Sequence, residues 1–515
     1  MNVRHALLAT LCAAGLLVAC SGGGGGGPTP PTQGTPTPKP SGPTASPSPT
    51  PAPTVAGLPA QFQIHYPSFY GQIIATFANP GLPRQLVALP NGDLLIGTGS
   101  PFVSNNQVYI LPNADGPSFA GTLAVFATLT DGACGDTHSL KENAQGLAFS
   151  PNSTGGTIYV GMECGVFQIP YTTGDRVAKP ATKILAVRQG SIVNFSTDGD
   201  VHHTTSLAVS GSNLYIGVGS SCNACAETDP TRAVVLRTDL SGGSLVTLAK
   251  RFRNPLALAV SSSGTVWAGG AGQDCAVSSS FTPPATPPPT CVAQDDTYFS
   301  SGHPFEFIDP VAMRFASNGN KTADYFWPNC EENKWPVFSG SSCSAMFTRL
   351  VQAPAYDTLI GATFYPKYAG SAPLYAFPAA YQGGLFFSLH GSWHEALDGI
   401  FVAPPRVVFV PMTGSGDTPL YTQTWSPAGM PGGNPYSTWG TSGGNPVAFL
   451  DGFQDNTGTR IGRPVGLAVG PNGSLFISDD GSGNIYRIRP GTAPASSVRP
   501  VPRPIQMIKY PGSRH

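Results

Sequence analysis

Charge is what this chain has least of. Asp, Glu, Lys and Arg make up 11% of its 515 residues, against about a quarter in ordinary globular domains. The net charge of −1 gives no basic footprint for a phosphate backbone, so nucleic acid is not an expected partner. Long apolar runs are also scarce. The run from Ala6 to Ala19 falls short of the ~20 residues that span a bilayer as a helix. No long stretch carries a 3.6-residue apolar period, which argues against an architecture of long amphipathic helices.

What is abundant is turn chemistry, with 63 Gly and 53 Pro. The chain opens MNVRH, continues through the apolar run and reaches Leu17-Val18-Ala19-Cys20. This order reads as a signal sequence over residues 1–19. LVAC resembles a bacterial lipobox, which makes Cys20 the expected lipidated residue and the product an exported, membrane-anchored lipoprotein. Residues 20–59 are almost entirely Gly, Pro, Ser, Thr and Ala, with Lys39 the only charge. Such a segment cannot bury a core and serves as a tether. Residues 60–490 are the expected folded domain. A basic tail over 491–515, carrying Arg499, Arg503, Lys509 and Arg514, is the expected disordered end.

Ten cysteines are present. Cys12 leaves with the signal and Cys20 takes the lipid, so Cys134, Cys164, Cys222, Cys225, Cys275, Cys291, Cys330 and Cys343 remain. An even set in an exported chain implies disulfides. Pairing of neighbours is the simplest of the 105 connectivities: 134 with 164, 222 with 225, 275 with 291, and 330 with 343. CNAC lacks the histidine of a haem attachment site and the further ligands of a zinc site, and so reads as a structural disulfide.

One hairpin recurs six times. RQLVALPNGDLLIGT starts at Arg84, AQGLAFSPNSTGGTIYVGM at Ala144, TSLAVSGSNLYIGVG at Thr205 and NPLALAVSSSGTVWAGG at Asn254. A longer fifth copy starts at Leu359 and ends FFSLHG. RPVGLAVGPNGSLFISDDGSGNIYRI starts at Arg463. Each copy is an alternating apolar run, a turn, and a second run ending in small residues. Two strands cannot bury their faces alone, whereas radially stacked four-stranded sheets can. The expected fold is therefore all-β, a six-bladed β-propeller, with an insertion between Asn254 and Leu359. A pair of β-sandwiches is the alternative, but it leaves six copies unexplained. The residues heading the copies are Arg84, Gln145, His202 with His203, Arg253 with Asn254, and Arg463, and a propeller gathers them at one end of its channel. Asp479–Asn484 resembles a calcium loop but sits where a hairpin needs its turn.

The ordered pieces AQGLAF, HHTTSL, LYIGVGSSCNAC, FRNPLALA, FWPNC, FFSLHGSW and GRPVGLAVGPNGSLFISDD resemble the pyrroloquinoline quinone-dependent sugar dehydrogenases of the glucose and sorbosone type. The resemblance covers roughly residues 83–489. It implies oxidation of an aldose or sugar aldehyde at C1, with hydride passing to the quinone beside a Ca²⁺ ion. It also implies a membrane quinone or cytochrome as external electron acceptor. His202 matches the family's general base, and Arg253 the arginine beside the quinone's reactive carbonyl. Gln145 and Asn254 match polar contacts to sugar and cofactor, and Arg463 a carboxylate-binding arginine. Arg84 joins the expected cofactor contacts. His203 is placed with the substrate contacts, its structural reading being a residue that shapes the turn. The calcium ligands of the family are largely backbone carbonyls and leave no residue to assign here. His390 stands where the soluble glucose enzymes carry lysine, as in the sorbosone-like branch, and Val465 where they carry a second arginine. With fewer cations expected at the site, a non-catalytic carbohydrate- or protein-binding propeller is the alternative function.

Overall fold

The computed structural model describes residues 56–492, apart from 67, 79–81, 100–104, 118, 120, 132–141, 190–201, 274–305, 331–339, 354–356, 392–403, 415, 421–446 and 456–457. Six sheets of four or five strands follow one another, which is the six-bladed propeller expected from the repeats. The strand nearest the axis opens each blade. These inner strands are Pro83–Ala88, Gly146–Asn152, Thr205–Ser210, Asn254–Val260, Leu359–Phe364 and Pro464–Val469. Each pairs antiparallel with a second strand: Leu94–Thr98, Gly155–Gly161, Asn213–Val218, Val266–Ala271, Leu385–Leu389 and Leu475–Asp479 in turn. The second strands are buried almost throughout and the inner strands over their first residues, so they read as nearly continuous apolar runs.

The small residues closing each second run have a packing reason. A Cβ on Gly97 would come 2.6 Å from the Gln145 carbonyl oxygen of the second blade. On Gly161 it would strike the Thr205 carbonyl, and on Gly217 the Pro255 carbonyl, each in the blade that follows. In the last two blades serine replaces glycine. The Ser388 hydroxyl donates to the Val465 carbonyl, and that of Ser478 to the Arg84 carbonyl. Every one of these contacts joins a second strand to the next inner strand, so the small residue is where one blade seats on its neighbour.

The ring closes through the N-terminal side of the domain. Asn484–Pro490, third strand of the sixth blade, pairs with Phe69–Thr76, which in turn pairs with Ala56–Gly57. Sheet structure thus begins four residues ahead of the expected boundary at Ala60. Gln63–Ile64 extends the fifth blade at Val447–Asp451. The anticipated insertion carries the fourth blade's own outer strands, Glu306–Asp309 and Val351–Ala353. It also carries the helix Val311–Ser317 and a short strand, Ala323–Asp324, laid parallel on Val246–Lys250 of the third blade. No helix among the described residues is long and apolar enough to cross a membrane.

Cys222–Cys225 and Cys330–Cys343 are disulfides, as expected. Cys164 is also disulfide-bonded, and its expected partner Cys134 lies outside the described residues. So do Cys275, Cys291, the expected lipidation site Cys20, residues 20–55 of the expected tether and residues 493–515 of the expected basic tail.

Along the axis, all six inner strands line a cavity of ≈300 Å³, bounded by Leu147, Leu207, Leu258, Phe364 and Leu467 among others. Gln85 and Thr363 also line it, and Gln85 Oε1 accepts the Leu147 N–H at 2.9 Å and the Leu207 N–H at 3.4 Å. The titratable groups lie elsewhere, at the end where the inner strands begin.

Candidate functional site

Antiparallel pairing dictates which residues share that end. Wherever an inner strand begins, the second strand beside it finishes, so the segment after each second strand faces the residues heading the blade. His202 therefore meets Gly219 and Ser220, and Arg463 meets Asp479 and Asp480.

On the side of the second to fourth blades, His202 is held by Ser220. Its N–H donates to the Ser220 carbonyl at 3.1 Å, and its Nδ1 lies 2.8 Å from Ser220 Oγ. That hydroxyl donates its proton to the Cys222 carbonyl at 2.8 Å. A serine has one hydroxyl proton, and a carbonyl can only accept. Oγ must therefore accept from Nδ1–H, which leaves the lone pair of the neutral imidazole on Nε2. A Cβ on Gly219 would strike His202 Cβ and come 2.6 Å from Asn254 Oδ1. His202 and Asn254 thus converge over a residue that must be small. Asn254 is 6% exposed, and its Oδ1 has no hydrogen-bond partner. A buried carbonyl without a donor is costly and marks this spot as one that a donor or a cation would complete.

Arg253 is buried and reaches the disulfide turn. Its Nε donates to the Asn223 carbonyl at 3.0 Å and its Nη2 to Asn223 Oδ1 at 2.8 Å. Arg251, two residues earlier, has φ of 53°, a left-handed conformation that sets the entry into this strand. His203 Nδ1 lies 2.6 Å from Glu163 Oε1 on the second blade. Arg188, fully buried, donates to the carbonyls of Glu163, His202 and Thr204 and to Thr205 Oγ1, fixing the approach to the third blade. Gln145 packs against Gly99 and accepts from Thr204 Oγ1 at 3.1 Å.

On the opposite side, Asp480 organises three of the expected residues. It ion-pairs with Arg84, and its Oδ1 lies 2.7 Å from His390 Nε2. Burial opposes its charge, yet the His390 imidazole, Arg84 and Arg463 hold its carboxyl well below the usual carboxylate range. His390 is pushed down to about 4 by burial and by Arg463, against the pull of Asp480. It is therefore neutral near pH 7, with the proton on Nε2 facing the carboxylate. Its Nδ1 is a buried lone pair without a hydrogen-bond partner. Arg463 donates from Nε to the His390 carbonyl and from Nη2 to the Gly391 carbonyl, each at 3.0 Å. Burial, Arg460 and Arg84 bring it down to about 9, so it stays charged. Asp479 is raised by burial. Its Oδ1 accepts the N–H groups of Arg463, Gly481 and Ser482, so the calcium-like segment is a side-chain-capped turn. Val465 is core, packed with Leu256 and Ile360.

Sequence reasoning did not single out Asp480, Ser220 or Asp357. In the sequence Asp480 reads as part of a turn, and Ser220 is hidden among the small residues after a second strand. The pairing of Thr205 with Val218 runs on to 203 opposite 220, one residue off the observed contact of His202 with Ser220, so register alone does not find it. Asp357 stands two residues ahead of Leu359 at the fifth blade's head.

The end where the inner strands begin thus gathers buried arginines, three histidines and donor-seeking acceptors, set by blade starts and by the ends of second strands. No protein-family model matches the sequence, and no curated protein matches it. Solved structures do match the fold. The pyranose dehydrogenase PQQ domain from Coprinopsis cinerea, in its holo form, aligns with a TM-score of 0.54 at 15% identity, over 84% of this chain and 98% of that one. A calcium structure of a carbohydrate-active enzyme of family AA12 from Trichoderma reesei aligns with a TM-score of 0.54 at 18% identity, over 84% and 97%. At such identities the likeness establishes the propeller fold.

Proposed function

We propose that the protein is an exported, membrane-tethered quinoprotein that oxidises an aldose or sugar aldehyde at C1. The observation that carries this reading is the meeting of His202 and Asn254 over Gly219, with Arg253 next in sequence and a buried acceptor awaiting a donor. The likeness to a pyranose dehydrogenase PQQ domain points the same way. The residues fit the cofactor. Arg84, Arg253 and Arg463 head three inner strands at one end of the channel, and each guanidinium is held by Asp480, Asn223 or backbone carbonyls, so it would offer the quinone's carboxylates charge that is already fixed in place. Asn254 Oδ1 and His390 Nδ1 are acceptors suited to sugar hydroxyls or to a bound cation. When bound, pyrroloquinoline quinone with Ca²⁺ supplies the hydride acceptor.

The chain's own residues supply the rest. His202 takes the proton of the C1 hydroxyl on Nε2, the nitrogen its Ser220 contact leaves unprotonated, a role worth about 10² to 10⁴ in rate. Arg253, pinned through Nε and Nη2, offers fixed positive charge without reorganisation. Asn254 and Gln145 orient the sugar, and neutral His390 in place of lysine favours a sorbosone-like substrate over glucose. The tether keeps the domain at the membrane, where a quinone or cytochrome takes up the electrons.

The test is to purify residues 56–515, add the quinone and Ca²⁺, and measure cofactor binding by fluorescence quenching and dye-coupled oxidation over a sugar panel. We expect micromolar or tighter binding and oxidation of at least one sugar, abolished about 10²-fold or more in His202→Ala. Absence of quinone binding would sink the reading.

A further inference from the structure

The residues between Gly219 and Glu227 form one device. Ser220 is fully buried and has all its polar atoms engaged. Its carbonyl accepts the His202 N–H at 3.1 Å, and its own N–H donates to the Arg253 carbonyl at 2.8 Å. Its backbone therefore ties the starts of two neighbouring inner strands together, while its hydroxyl reads the imidazole and passes the link to the Cys222 carbonyl. One residue further on, Asn223 receives Arg253 through both its carbonyl and its side-chain oxygen. The same carbonyl accepts Trp327 Nε1 at 3.0 Å. Cys222 and Cys225 close the turn that carries these acceptors. Beyond it, Glu227 holds the Ser221 hydroxyl through both carboxylate oxygens at 2.9 Å.

Two oxygens of this turn decide two different things. The Cys222 carbonyl consumes the only proton of Ser220, which forces His202 to protonate on Nδ1. The Asn223 oxygens fix the direction of the Arg253 guanidinium. A turn free to change its backbone angles would offer these carbonyls in other orientations, and Ser220 could then donate to the imidazole and invert its tautomer. A three-residue disulfide step between two nearly buried cysteines removes that freedom.

We propose that the Cys222–Cys225 turn, acting through Ser220 and Asn223, is the positioning element that sets the tautomer of His202 and the aim of Arg253. The proposal rests on the quinoprotein reading for its catalytic meaning, but its structural content stands without it. Ser220 and Asn223 are positioning residues and touch no reacting atom. The segment after the second blade's second strand also carries a disulfide-bonded cysteine, Cys164, whereas Asp480-Gly481 after that of the sixth blade has none, so the propeller fold does not itself require a cysteine pair here.

The experiment uses ¹⁵N-histidine spectra of the purified protein without cofactor, with the His202 resonances assigned by their loss in His202→Gln. Wild type shows Nδ1 protonated and Nε2 bearing the lone pair. Ser220→Ala, and separately the double variant Cys222→Ser with Cys225→Ser, shift His202 toward a tautomer mixture. With quinone and Ca²⁺ added, both variants lose about tenfold in kcat with KM little changed, and the acidic limb of the kcat profile moves. A wild-type His202 protonated on Nε2 would overturn the proposal. So would variants that stay folded by circular dichroism with tautomer and pH profile unmoved. If no sugar is oxidised by any form, the functional reading fails, and the spectra alone still decide the positioning role.

Discussion

Asp357 is fully buried at the head of the fifth blade, and neither of its carboxylate oxygens has a hydrogen-bond partner. Burial pushes its carboxyl up to about 7, against Arg406 and Arg460. The folded protein therefore keeps a proton that an unfolded aspartate releases near pH 4. Below pH 4 both states hold it and nothing is lost. From about pH 4 to 7 stability falls as pH rises, and above 7 the full penalty applies, on the order of 4 kcal/mol. Asp357→Asn should leave urea stability near pH 4 unchanged and raise it at pH 8, and equal gains at both pH values would refute this. His202 and Arg253 could be read from the sequence because they head repeats. Asp357, Ser220 and Asp480 could not, because their importance comes from burial and from which oxygen a neighbour's proton is committed to.

At the scale of elements, the second strands carry the seating contacts between blades. Gly161→Ala or Gly217→Ala would drive a methyl group into a backbone carbonyl of the next inner strand, and backbone cannot swing away as a side chain can. A loss of about 3 kcal/mol is expected in urea denaturation. Ser388→Ala removes the donor to the Val465 carbonyl without adding bulk and should cost about 1 kcal/mol. Equal losses for glycine and serine positions would show that the carbonyl contact is not what selects them. The inner hairpins were readable because their burial leaves long apolar runs with turn residues between. Glu306–Asp309 and Val351–Ala353 were not, being four and three residues long inside a segment without repeat character. Ala56–Gly57 and Gln63–Ile64 are shorter still. They are strands only because sheet edges are there to receive them.

For the whole molecule, the sixth blade takes its fourth strand from the beginning of the folded region. Removing residues 1–55 should leave the melting transition in place, whereas removing 1–77 takes away Phe69–Thr76 and should abolish cooperative unfolding; a chain starting at 78 with an unchanged transition would contradict this. The ring's existence was legible from six repeats, but its closure was not, since Phe69–Thr76 belongs to no repeat copy. Closure also has a place in time. Gln72 accepts from Arg487 at a sequence separation of 415, and bringing such distant segments together costs about 5 kcal/mol in loop entropy. During synthesis the edge that Asn484–Pro490 will fill stays open until nearly the last blade residue has been made. Until then five blades stand as an open arc with two raw edges, and this interval is when a chaperone has most to protect.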